Sequence, residues 1–397
     1  MKTKTHRLRE LSRPVPVALS TLGYRDFVSE PDWCRNLIST TSLLYHPGRN
    51  RVVCGLTGFD TDLMYEFDLE TNTWHGMDYP AVSEPFEIKI HRSLVLAPDG
   101  SVYGATAGLH QEDQRTEAPG GRLFRYDFET RTYDFLGRPT PPDYIQTISV
   151  DHERGLIYGV SYPVLRFFVF DLHARETRRH QYVGSIPHIM AIDDRGCVWA
   201  TWNARKHHLF KYDPDTDRMH FFQHGLPNAL QGAGLMYPGA GPVDSMLNGG
   251  DGFLYVGMTT GDLVRLDPKT AETEYLGRPT PHRRLSAMEI GPDGRLFGVA
   301  GFWGECHLFA YDRARQTFEV LGPIRDSHDD TPLFIGHDMC FTPGGRLFIG
   351  ETDTADRAGY LWECQIPADR FLTPTHQRPH WRHDGIAQRI GQKATKD

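Results

Sequence analysis

Short apolar runs, each roughly four to eight residues long and each stopped by Gly, Asp, Asn or Pro, follow one another along most of the chain. The stretch from Ser93 to Asp134 shows the unit. An apolar run (SLVLA) meets a turn at Pro98, Asp99 and Gly100, a second run follows (SVYGAT), and after a loop a third run ends in Tyr126 and Asp127. A further turn leads to a fourth short run ending in Leu136 and Gly137. Such runs with tight connections predict a four-stranded antiparallel meander.

The unit recurs. An Asp closes the third run at Asp68, Asp127, Asp171, Asp213, Asp267 and Asp312, at intervals of 59, 44, 42, 54 and 45 residues. Turn-like residues follow each one, so the carboxylate is placed to cap the hairpin between third and fourth strands by accepting backbone amides. Turns between first and second strands fall at Gly48, Asp99, Glu153, Asp194, Asp251, Asp293 and Gly344, which makes seven units. Seven meanders predict an all-β, seven-bladed β-propeller of four-stranded antiparallel blades over residues 1–367, with 368–397 as a tail. The last unit stops after Leu361, Trp362 and Glu363 without a fourth strand. Residues 15–23 (VPVALSTLG) share the Leu-Gly ending of other fourth strands and are expected to supply it, closing the ring and covering its edges.

Composition agrees with many short strands: 12% aromatic residues, 39 Gly and 27 Pro. A net charge of −8 provides no basic field for a phosphate backbone and argues against nucleic acid as a partner. The six cysteines form no CxxC pair and sit mostly in apolar runs, as reduced core residues do. No apolar segment approaches the length of a membrane span, and the N-terminus lacks a leader-type apolar stretch, so a soluble, cytoplasmic protein is expected.

In a propeller the first strands line the axis, and the connections into them share one end face with the loops between second and third strands. At or before first strands lie His91 with Arg92, Tyr144 with Gln146, His188, Asp244 with Ser245, Arg283 with Arg284, and His337 with Asp338. In the facing loops lie His110, Tyr162 with Arg166, Trp202 with Arg205, Trp303, and Glu351 with Asp353. A face with four His, several Arg and exposed-type aromatics suits an anionic, ring-shaped ligand, with Arg as a two-donor fork and Trp as a flat apolar surface. Substrate binding is thus expected of Arg92, His188, Trp202, Arg205, Trp303 and His337. Each also has a plainer reading as a hydrogen-bonded, packed or solvated residue. His337, Asp338, Glu351 and Asp353 allow a divalent metal near the axis: calcium by their oxygens, manganese or zinc if His188 joins. The alternatives are a network tying blade seven to blade one, and a site that requires no cofactor.

The segments KIHRSLVLAPDGSVYGATAGLH and GLIYGVSYP resemble the propeller polysaccharide lyases of the ulvan lyase and rhamnose-glucuronate lyase type, which have related rhamnosidases. The resemblance covers about residues 40–366 and implies His91, His110 and Tyr162 as catalytic residues, with Arg166 favoured as the carboxylate-neutralising arginine. It implies β-elimination at C4 of a uronate in an oligosaccharide or polysaccharide. An imidazole would accept the C5 proton and a cation would stabilise charge delocalised into the carboxylate. A glycoside hydrolase on the same scaffold, using Glu351 and Asp353, and a non-catalytic binding propeller are the alternatives.

Overall fold

The computed structural model describes residues 1–9, 24–30, 38–59, 61–108, 117–185, 187–229, 241–352 and 358–371. Seven four-stranded antiparallel blades form a ring: 38–76, 95–137, 144–182, 191–225, 243–277 and 285–323, with 336–365 completed by the N-terminal strand. The expected propeller is the observed one. Blades one and seven also share a single parallel bridge between Ile38 and Ala358.

The ring is closed by Lys2–Arg9, which pairs antiparallel along the length of Ala358–Gln365. This strand holds the outer place expected of residues 15–23, which lie outside the described residues. Its sequence hid it, because apart from Leu8 the residues it buries are polar. Buried Thr3 meets the Cys364 thiol, Thr5 bonds Asp326 through both backbone and hydroxyl, and buried His6 meets Glu363 at 2.8 Å. Side-chain hydrogen bonds replace the apolar face that a sequence pattern would reveal.

Each recurrent Asp performs its expected capping. Asp68 Oδ1 accepts the amides of Glu70 and Thr71, Asp127 those of Glu129 and Thr130, Asp171 those of His173 and Ala174, and Asp312 those of Ala314 and Arg315, all between 2.7 and 3.0 Å. The residue four positions after each carboxylate has left-handed backbone: Asn72, Arg131, Arg175, Asp217, Ala271 and Gln316, with φ between 51° and 63°. That geometry usually selects Gly or Asn, yet here the cap and hairpin override local preference at five of the six positions.

Apolar layers fill the spaces between blades. Trp199, Trp362, Tyr158, Phe67, Phe124 and Phe168 are fully buried there, and the five described cysteines are buried free thiols. No described helix is long and apolar enough to cross a membrane.

Glu363 in the closing blade accepts hydrogen bonds from His6, Arg346 and Gln365. Burial alone would raise its pKa, but these donors outweigh burial and hold the carboxyl well below the usual glutamate range. A depressed carboxyl contributes stability that is complete above its unfolded value, near ~4.3, and is lost as pH falls through the folded value. Thermal melts of wild type and Glu363→Gln should therefore differ most at pH ~6 to 7 and converge as the pH drops below ~4.

Candidate active site

Side chains alternate across a strand, so an inner strand in perfect register would send successive residues into the two interfaces that flank its blade and none to the axis. Five inner strands break that rule once near their start. Pairing slips by one residue on the inner strand between Thr40 and Ser42, Ile145 and Thr147, Val243 and Ser245, Leu285 and Ala287, and Gly336 and Met339. The extra residue is Thr41, Gln146, Asp244 or Ser286, and in blade seven it falls within His337–Asp338. A bulge of this kind re-aims the backbone and its side chain locally while the downstream apolar register is kept. In blades two and four the inner strands pair only over Val95–Leu96 and Ala191–Ile192, leaving His91, Arg92 and His188 on the approach segments at the same level. All seven blades thus deliver polar groups to one end of the axis.

Three buried imidazoles meet there. The His91 ring lies 4.5 Å from that of His337 and 6.0 Å from that of His188, centroid to centroid. Nδ1 of His91 donates to the Gln146 carbonyl at 2.8 Å and Nδ1 of His337 to the Thr41 carbonyl at 2.8 Å, while Nδ1 of His188 donates to Asp244 Oδ1 at 3.0 Å. These oxygens only accept, and at His337 the Thr41 carbonyl lies much closer to Nδ1 than the Arg92 Nε at 3.4 Å, so these contacts favour a hydrogen on each Nδ1 and a lone pair on each Nε2. Burial is the main cause that pushes all three below the ordinary imidazole value. Nearby cations add to it: Lys89 and Arg92 at His91, and Arg92 at His337. The rings are neutral bases at physiological pH.

Two guanidiniums frame the imidazoles. Arg92 reaches across the axis from blade two, donating through Nη1 to the Asp244 carbonyl and through Nη2 to the Ser286 carbonyl at 2.7 Å. Arg284 grips Asp244 with Nε at 2.8 Å and Nη2 at 3.1 Å. Asp244 is fully buried; burial would raise its pKa, but Arg284 and His188 hold it ionised, well below the carboxylate range. Both arginines occupy left-handed backbone, with φ of 45° and 68°, a strain of order ~1–3 kcal/mol each that persists because these contacts over-determine them. The two guanidiniums thus bracket the buried Asp244 at the mouth.

Beside the mouth, on the same end face, a small cleft opens between blades two and three. Phe86, Glu87, Gly121, Pro142, Tyr144 and Pro163 line it. Gly121 is required there, because a Cβ would lie 2.3 Å from the Thr106 carbonyl oxygen.

The expected site residues divide sharply. His91, His188 and His337 come together at the axis, whereas His110 and Asp353 lie outside the described residues. Tyr162 packs its ring 5.3 Å from Tyr144 within an apolar layer, and its neighbour Pro163 reaches the cleft. Arg166 begins the third strand of blade three and pairs at 3.0 Å with buried Asp143; this internal ion pair argues against its being the carboxylate-binding arginine. Arg92 is a strut across the ring more than a substrate arm. Trp202 donates its Nε1 to the Phe222 carbonyl and packs on Phe221, which makes it blade packing. Arg205 stands in an exposed turn, and Trp303, 69% exposed with φ 54°, is the one of the two tryptophans open to a ligand. Among the described residues no three His, Cys, Asp or Glu side chains could hold a metal ion. Asp338 accepts the Leu43 amide at 2.8 Å, and Glu351 accepts the Phe334 amide and the Trp362 indole, so these two serve as blade fasteners. Sequence reasoning passed over Thr41 and Ser286. A recurrent polar, small, apolar triplet (Gln146-Thr147-Ile148, Asp244-Ser245-Met246, Ser286-Ala287-Met288) was the available signal.

No protein-family model matches the chain, and no curated protein matches it. Among solved structures it is similar to a streptogramin B lyase, with 14% identity, 81% of this chain and 92% of the other covered, and a TM-score of 0.58. A catalytically inactive histidine-to-alanine variant of virginiamycin B lyase from Staphylococcus aureus, with quinupristin, gives 14% identity, 84% and 98% coverage and a TM-score of 0.59. The WD40 repeats of RRP9 give 11% identity, 82% and 94% coverage and a TM-score of 0.56. These likenesses establish the propeller fold.

If Arg166 is structural, Arg166→Ala should destabilise the protein by about 2 kcal/mol, below the full cost of breaking a buried pair because Arg166 remains 26% exposed. Chemical denaturation measures the loss.

Proposed function

We propose that the protein is a carbon–oxygen lyase that cleaves the bond at C4 of a uronic acid residue by β-elimination at the axial mouth. The observation that carries this reading is the set of three neutral imidazoles whose Nδ1–H groups are all held by internal acceptors, which assigns basicity to Nε2 beside two guanidiniums. Removing a weakly acidic C5 proton needs a base that is unprotonated at neutral pH and a positive environment for charge that develops on the C6 carboxylate. The mouth supplies both. Exposed Trp303 offers a flat apolar surface for a sugar face. The fold has a precedent in a lyase whose histidine-to-alanine variant is described as catalytically inactive, at 14% identity.

A non-catalytic binding propeller is the second reading. It is favoured by the burial of the three histidines, none more than 6% exposed, and by the likeness to WD40 repeats. A hydrolase is the weaker alternative, since Glu351 is occupied by a backbone amide and an indole.

Incubation with a panel of uronate-containing oligosaccharides should generate the ultraviolet absorbance of a 4,5-unsaturated uronate, while neutral hexose oligosaccharides of the same length give none. Absence of turnover across the uronate panel, with binding detected by calorimetry, would favour the binding propeller.

A further inference from the structure

The three axial imidazoles are not equivalent. His91 and His337 donate Nδ1–H to backbone carbonyls, whereas His188 donates to a carboxylate. A carbonyl opposes a new positive charge on the ring only with a dipole; a carboxylate opposes it with a full charge and also fixes the tautomer. We propose that His188 is the residue that accepts the substrate proton, and that Asp244 is the positioning residue that assigns it this role. The inference rests on the elimination reading above and specifies its base.

The groups that face His188 include Asp244 from blade five, His91 and Arg92 from blade two, Arg284 from blade six and His337 from blade seven. In the free protein burial and the two guanidiniums outweigh Asp244 and keep the ring neutral, as a base must be before it reacts. Lys89 and Arg92 oppose protonation of His91, and Arg92 opposes that of His337, with no carboxylate among the described residues in hydrogen-bonding contact with either ring. Arrival of a uronate carboxylate adds negative charge beside the guanidiniums of Arg92 and Arg284. Protonation of His188 is thereby coupled to anion binding. In the reaction the C5–H bond breaks and the proton goes to Nε2 of His188, its electron pair forms the C4=C5 double bond, and the C4–O bond breaks with its pair on the leaving oxygen. That oxygen takes a proton from water, and His188 returns its own to the hydroxide so formed.

The test is a pH titration of the full chain labelled with ¹⁵N in its histidine rings, with His188 assigned by the signal missing from His188→Gln. Sodium glucuronate is the probe. The expected result is a neutral His188 carrying hydrogen on Nδ1 without glucuronate, and an apparent pKa that rises on saturation, with the rise abolished in Asp244→Asn. Should Asp244→Asn not fold, the wild-type titration alone decides. Glucuronate-linked protonation of His91 or His337 in place of His188, or no response of His188 at saturation, overturns the proposal. In turnover, His188→Ala and Asp244→Asn should each lower kcat at least about 100-fold, and Asp244→Asn should displace the pH–rate profile. A loss of kcat that follows His91→Ala and spares His188→Ala overturns the assignment while leaving the elimination standing. Failure of the elimination itself reads differently: no unsaturated product from any uronate, with His188 still responding to glucuronate.

Discussion

One extra residue near the start of an inner strand is the constraint from which the site follows. Side chains alternate with a period of two, so a polar residue can be turned to the axis without sending later apolar residues to the wrong face only if the register slips locally. Thr41, Gln146, Asp244, Ser286 and the His337–Asp338 pair occupy that slip in five blades. Below it, Leu43, Ile148, Met246, Met288 and Met339 resume the packing between blades.

Around the same insertions, neighbouring blades are tied to one another. A group on one blade is satisfied by the next: Thr41 bonds the Ile90 carbonyl, Thr147 the Arg92 carbonyl, Ser245 the Leu285 carbonyl, and Asp338 the Leu43 amide. Arg92 spans the ring to blades five and six, and Arg284 fixes Asp244. These bonds make the burial of those polar groups tolerable, although the Ser286 hydroxyl is buried without a described partner, and the carbonyl and carboxylate acceptors favour the Nδ1–H tautomer of the axial imidazoles. The electrostatics follow from the geometry: neutral rings, and an ionised Asp244 bracketed by two guanidiniums.

Much of this was legible in the chain itself. The hairpin-capping aspartates announced the blades because a carboxylate followed by turn residues is a local signal. The axial histidines were legible because each precedes or opens an apolar run. The pairing of His188 with Asp244 was not, since 56 residues and a whole blade separate them. Nor was the role of Arg166, whose partner Asp143 lies 23 residues earlier and is distinguished from other aspartates only by its burial. Lys2–Arg9 escaped because, apart from Leu8, the side chains it packs inward are Thr and His, with bonds supplied by Asp326 and Glu363. Trp202 and Trp303 look alike in sequence, and only packing separates an indole docked on Phe221 from one left open.

The most direct measurement is a crystal structure with a saturated, uncleavable uronate disaccharide bound. The account predicts its carboxylate at the axial mouth between Arg284 and the three imidazoles, with C5 facing His188. A disaccharide held wholly away from the axis, with the His91, His188 and His337 rings untouched, would contradict it.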